Sequence, residues 1–137
     1  MMRTNADITI YNRYFDKETR LDKYQRTVLY RVFWDERKAV NRLQSGLEDA
    51  DKVTIIIPFA VTTDKKYVAP KEFEKLDDKS GHFTLQEGDR VVKGAIDFEI
   101  TGKLSDLDKE YEAYTITSVD TKDFGSPHMR HWEVGAK

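Results

Sequence analysis

The chain of 137 residues contains no cysteine. That removes disulfides, thiolate nucleophiles and cysteine metal sites together, and it suits a reducing compartment. Proline is scarce, three residues in all, and the seven glycines are scattered. Neither a polyproline segment nor a Gly/Ser linker divides the chain, so a single domain over 1–137 is expected. No charge of one sign dominates: 23 Lys and Arg stand against 25 Asp and Glu, a formal charge of −2. General electrostatic attraction to nucleic acid or anionic lipid is thereby excluded, and any such contact must be local. Met1-Met-Arg-Thr-Asn-Ala-Asp7 lacks the apolar core of a secretion signal. No run approaches the roughly 20 apolar residues of a spanning helix, so a soluble, unexported protein without membrane contact is expected.

What the sequence does have is alternation. In Arg90-Val-Val-Lys-Gly-Ala-Ile-Asp-Phe-Glu-Ile100, the apolar Val92, Ile96, Phe98 and Ile100 share one parity, with Lys93, Asp97 and Glu99 between them. The pattern predicts a half-buried strand over 90–100, entered from a tight turn at Gln86-Glu-Gly-Asp89, and a charge at Phe98 is expected to unfold it. Ile8–Phe15 and Tyr24–Trp34 read as two further strands joined by a charged connection, and antiparallel pairing is the simplest topology for them. On the second strand, Tyr24, Val28, Tyr30, Val32 and Trp34 fall on one face.

Val53-Thr-Ile-Ile-Ile-Pro-Phe59 reads as a strand that Pro58 ends or places at an edge. Ala113–Asp120 is rich in threonine and β-branched residues, and Met129–Val134 closes the chain after a turn at Phe124-Gly-Ser-Pro127. Two short helices are expected. One is Pro70–Leu76, with Pro at its first position and Phe73 and Leu76 on one side; the other is Ser105–Tyr111, capped by Ser105. Residues 60–88 form a long irregular loop around the first helix. The sum is a mainly β chain, a small β-barrel or sandwich.

The search for chemistry returns little. His128 and His131 have a His-x-x-His spacing, but residues three apart on a strand point to opposite faces and no third ligand is near, so a polar contact is the better reading. His82 reads as a loop histidine. The serines lack a nucleophile-elbow context, and Gly88-Asp-Arg-Val-Val-Lys-Gly94 lacks the Ser or Thr and the helix of a phosphate loop. Carboxylate pairs such as Asp77 with Asp78, or Asp106 with Asp108, are expected by number alone when 35% of residues are charged. No enzymatic activity, cofactor or metal is therefore expected. Tyr11, Tyr14, Tyr24, Tyr30, Phe33 and Trp34, interleaved with Arg13, Arg26 and Arg31, suit either a single-stranded nucleic-acid surface or a protein interface.

Several segments, taken in order, resemble the small head-closure (stopper) and head-to-tail connector proteins of long-tailed bacteriophages and prophages. They are Ile8–Phe15, Asp22-Lys-Tyr-Gln-Arg-Thr27, Phe33-Trp34, Asp51-Lys-Val-Thr-Ile-Ile-Ile-Pro58, Leu85–Gly94 and Ile116–Val134. The resemblance runs nearly end to end. It implies a β-barrel subunit of a cyclic ring, such as a hexamer or dodecamer, in the virion neck, assembled in the bacterial cytoplasm. Its partners would be further copies of itself, the portal or adaptor, and the tail-terminator or other tail proteins, with double-stranded DNA passing transiently through the ring. Tyr24, Arg26, Tyr30, Arg31, Phe33, Trp34, Met129, His131 and Trp132 are the candidate subunit or partner interface. Lys65, Lys66, Tyr67, Phe73, Asp77, Asp78 and Lys79 belong to the loop that would reach the channel or dock on a neighbour. A tail terminator or other minor neck protein is the alternative of the same kind, and a single-stranded nucleic-acid-binding barrel the alternative of a different kind.

Overall fold

The structure is a computed structural model describing residues 4–36, 52–126 and 129–137. In chain order its elements are β1 (Ala6–Asp16), β2 (Leu21–Glu36), β3 (Val53–Pro58), β4 (Lys66–Tyr67), α1 (Pro70–Lys75), β5 (His82–Phe83), β6 (Arg90–Lys93), α2 (Leu104–Glu110), β7 (Ala113–Lys122) and β8 (His131–Ala136). Six strands close into an antiparallel barrel in the order β1-β2-β3-β8-β7-β6, with β6 paired back to β1. The mainly β expectation therefore resolves to a closed barrel with two short helices among the described residues.

Alternation explains the closure. Side chains of successive residues point to opposite faces, so one parity of each strand lines the interior. Ile8 and Ile10 of β1, Val53, Ile55 and Ile57 of β3, and Trp132, Val134 and Ala136 of β8 meet there with Val91 and Ile116. The interior is filled by these side chains. Each fully buried Ile or Leu contributes about 1.5–3 kcal/mol, the main return on ordering the strands.

The β1–β2 hairpin is set by Asp16, whose carboxylate accepts from the Glu18 N–H at 3.2 Å and the Thr19 hydroxyl at 2.9 Å and pairs with Lys23 at 2.9 Å. Those bonds hold the Asp16 carboxyl down at about 2, the Lys23 contact contributing most.

Four sequence expectations change. On β2, Ala6 faces Val32 while Ile8 faces Leu29, so one extra residue bulges at Tyr30–Arg31. Arg31 has φ 67, and its N–H donates to Asp7 Oδ1 at 3.0 Å. The bulge switches the inward parity from Thr27 and Leu29 to Val32 and Trp34, so Tyr24 to Trp34 do not share one face.

Secondly, the strand expected over 90–100 ends at Lys93. Gly94 turns away at φ 105, and the Thr9 hydroxyl takes over, donating to Gly94 O at 2.7 Å and accepting from the Ile96 N–H at 3.0 Å. Val92, Ile96, Phe98 and Ile100 still gather on one side, but outside the barrel, with Tyr11, Leu107 and Tyr111 in a second apolar cluster under α2. Phe98 is only partly buried there, so it does not belong to the barrel core.

Thirdly, α2 starts at Leu104, and Asp106, not Ser105, closes its end by accepting from the Lys103 N–H at 3.3 Å. Lastly, 60–88 is not a free loop. It holds β4, α1 and β5, and it buries Phe73, Phe83, Thr84 and Leu85. Phe83 and Leu85 enter the barrel core, while Tyr67 stacks on Trp132 at 4.4 Å between ring centroids.

Candidate functional site

The outer face of β2 carries an open arrangement of functional groups. Two clefts of about 460 and 490 Å³ meet along the row Arg26, Val28 and Tyr30, one walled by Thr62–Lys65 and the other by Ala95–Asp97 and Tyr111. Tyr30 stands 42% exposed beside the bulge. Arg26 is fixed rather than free: its Nε donates to Glu99 Oε1 at 2.7 Å and its Nη1 to Ile96 O at 3.0 Å. The Glu99 carboxylate raises the Arg26 pKa further, against the opposing effect of partial burial. Lys65 donates to Arg26 O and to Thr27 Oγ1, and partial burial lowers its pKa. Below this row the Tyr11 hydroxyl donates to Phe98 O at 2.7 Å, and burial raises its pKa. The cations of the groove are thus spent on internal partners, and what faces outward is the Tyr30 ring with the exposed carboxylates of Asp64 and Asp97.

A buried polar knot holds the 60–88 excursion beside this face. Asn12 sits on β1 with no exposed surface; its Nδ2 donates to Thr84 O at 2.8 Å and to Asp89 Oδ2 at 2.9 Å, while its Oδ1 accepts from the Thr84 N–H at 3.1 Å. Asp89 Oδ1 accepts from the Arg13 N–H at 3.1 Å. Burial pushes the Asp89 carboxyl up to about 6, against the opposing pull of Asn12, Arg13 and Gln86. The Gln25 amide donates to His82 O and ties β5 to β2.

The candidate interface residues divide. Tyr24, Arg26, Tyr30, Arg31 and Phe33 lie on the outer side of β2 or at its bulge, and Met129 and His131 lie at the start of β8, with the His131 Nδ1 2.8 Å from Met129 O. Trp34 and Trp132 do not join them: at 4% and 6% exposed they are core residues. Trp34 packs edge-on to Tyr114 at 5.4 Å and donates its indole N–H to Glu36 Oε1 at 3.2 Å; Trp132 packs on Phe59 and Tyr67.

Of the loop candidates, Phe73 is fully buried, Tyr67 is stacked, and Lys65 is engaged as above. Lys79 donates to Leu76 O at 2.8 Å and lies over the Tyr14 and Phe73 rings. Asp78 caps Ser80, which leaves Lys66, Asp77 and Asp78 as the exposed members. Sequence reasoning missed Phe15, Leu21 and Phe124, which are 52%, 65% and 71% exposed at the two hairpin tips. Their nearness to turn residues was the available signal.

His128 lies outside the described residues. Among the described residues no group of three or more His, Asp or Glu side chains is placed to hold a metal ion. No helix among them is long and apolar enough to cross a membrane.

Residues 3–137 match the model of a family of unknown function, DUF6751. The chain belongs to that family. No curated protein and no solved structure matches it. The match to DUF6751 extends over the barrel strands, the excursion and both helices.

Proposed function

We propose that this chain is a structural subunit of the bacteriophage neck, a head-closure-like protein whose copies form a ring between the portal or adaptor and the tail. The observation that carries the reading is a closed barrel whose interior is packed with apolar side chains. Such a barrel is a wall element. DNA would run along the ring axis between subunits, not through any one barrel. The near balance of charge suits a conduit, since dense Lys and Arg on a channel wall would bind phosphates and slow passage. The end-to-end resemblance to connector proteins points the same way.

The competing reading, a single-stranded nucleic-acid barrel, needs exposed aromatic platforms. Burial of Trp34 removes one of its candidates and leaves Tyr30 as the exposed ring beside Arg31. Deleting the gene from an inducible prophage that carries it is expected to yield DNA-filled or leaking heads and separate tails, with joining restored by expression in trans. Normal yields of joined, infectious particles after deletion would contradict the proposal.

A further inference from the structure

Two strands of the barrel keep an edge that no strand among the described residues pairs along its full length. β2 is paired with β1 from Leu21 to Val32, but with β3 only from Phe33 to Glu36. Successive residues of a strand direct their N–H and C=O groups to alternate sides. The Tyr30 N–H goes to Thr62 O, and Arg26 O to Lys65 Nζ. Asp22, Tyr24 and Val28, of the same parity, therefore direct their backbone groups to that side, away from β1. On β7, pairing with β6 stops at Thr115, the Asp89 and Gly88 backbones reach Ile116, and from Ser118 to Lys122 the ladder partners are all on β8.

The two edges are matched to each other. In the order β1-β2-β3-β8-β7-β6, β7 lies three places from β2 in a ring of six, on the opposite side of the barrel. Both free edges look the same way round the barrel, β2 toward β3 and β7 toward β6, so in space they face opposite directions. Arg26, Tyr11, Arg90 and Thr115 share one tier, and from it β2 and β7 reach toward the same end of the barrel with opposite chain direction. Two copies in like orientation, set side by side, would thus bring the β2 edge of one against the β7 edge of the next with antiparallel polarity. Exposed edges of this kind are templates for strand pairing.

We propose that copies of this chain join head to tail by pairing the Asp22–Tyr24 end of the β2 edge, which the Thr62 and Lys65 contacts leave open, with the Ser118–Lys122 edge of β7 of the neighbour. The contact is heterologous, as ring closure requires. The inference rests on the ring reading above and names the contact that would build it.

The absence of cysteine makes the test clean. Asp22→Cys, Asp120→Cys and Lys122→Cys alter exposed or partly exposed positions, and Lys109→Cys on the far face of α2 serves as control. Under mild oxidation, Asp22→Cys mixed with Asp120→Cys or Lys122→Cys is expected to give covalent dimers of one variant with the other. The double variant should give a ladder ending in a closed species, and the control none. Absence of the mixed product, or a product dominated by Asp22→Cys with itself, would overturn the edge pairing. Native mass spectrometry of the unmodified chain separates the two levels. A discrete oligomer that fails to cross-link rejects the pairing and leaves the ring standing, whereas a monomer at every concentration rejects both.

Discussion

Replacing Asn12 with leucine is expected to lower unfolding free energy by about 3–5 kcal/mol, because each buried polar group left without a partner costs about 1–3 kcal/mol. Leucine is close in volume and apolar, so the effect would come from hydrogen bonding. The Asn12 side chain satisfies both the N–H and the C=O of Thr84 and supplies one donor to Asp89. All three residues are buried, so water cannot replace it without opening the barrel end. The same change unfastens the 60–88 excursion from β1, and protease cleavage between Thr62 and Ser80 should accelerate along with the fall in stability. Urea unfolding of the two proteins at one pH measures the first effect. A variant within about 0.5 kcal/mol of the wild type, the usual range for an inconsequential surface change, would show that the knot does not hold the excursion.

Asp89 gives stability an unusual pH dependence. Its carboxyl titrates at about 6 in the folded chain against 3.8 as the ordinary value, chiefly through burial, with Asn12, Arg13 and Gln86 pulling the other way. Between those limits the folded state holds a proton that the unfolded state has released, so stability falls as pH rises. The contribution is fully present below about pH 4 and lost by the time pH has passed 6. At about 1.4 kcal/mol per pH unit the loss is on the order of 3 kcal/mol. The carboxyls of Asp16 and Asp78, held below their ordinary values by Lys23 and Ser80 respectively, act in the opposite sense and at lower pH. Comparing wild type with Asp89→Asn isolates the term. The stability difference between them should shift by about 3 kcal/mol from pH 4 to pH 7, the variant gaining relative to wild type as pH rises. A difference independent of pH would mean that Asp89 titrates as an ordinary carboxylate.

Much of the barrel is legible in the alternation of single segments. β1 follows from its alternation, β3 from an apolar run ending at Pro58, β7 from its threonine and β-branched residues, β8 from the run after the turn at Phe124-Gly-Ser-Pro127, and α1 from Pro70 at its first position. What escaped depends on distant partners. The strand at Arg90 looks continuous to Ile100 because apolar parity persists beyond Gly94. It is broken by the hydroxyl of Thr9, some eighty residues earlier in sequence. The bulge on β2 carries no glycine, its left-handed residue being Arg31, so no turn signal marks it. The aromatic and arginine content of β2 is visible in the sequence. Composition cannot say which aromatics face inward, and the bulge sends Trp34 to the core while leaving Tyr30 outside. The Asn12–Thr84–Asp89 knot joins positions more than seventy residues apart, and nothing local in the sequence announces it.

An averaged cryo-EM map of the particles that carry this chain tests the central claim most directly. The barrel is expected as a closed ring on the axis between head and tail, adjacent copies meeting through β2 and β7. Its presence only in the capsid shell or at the tail tip, or its absence from the particle, would contradict the assignment.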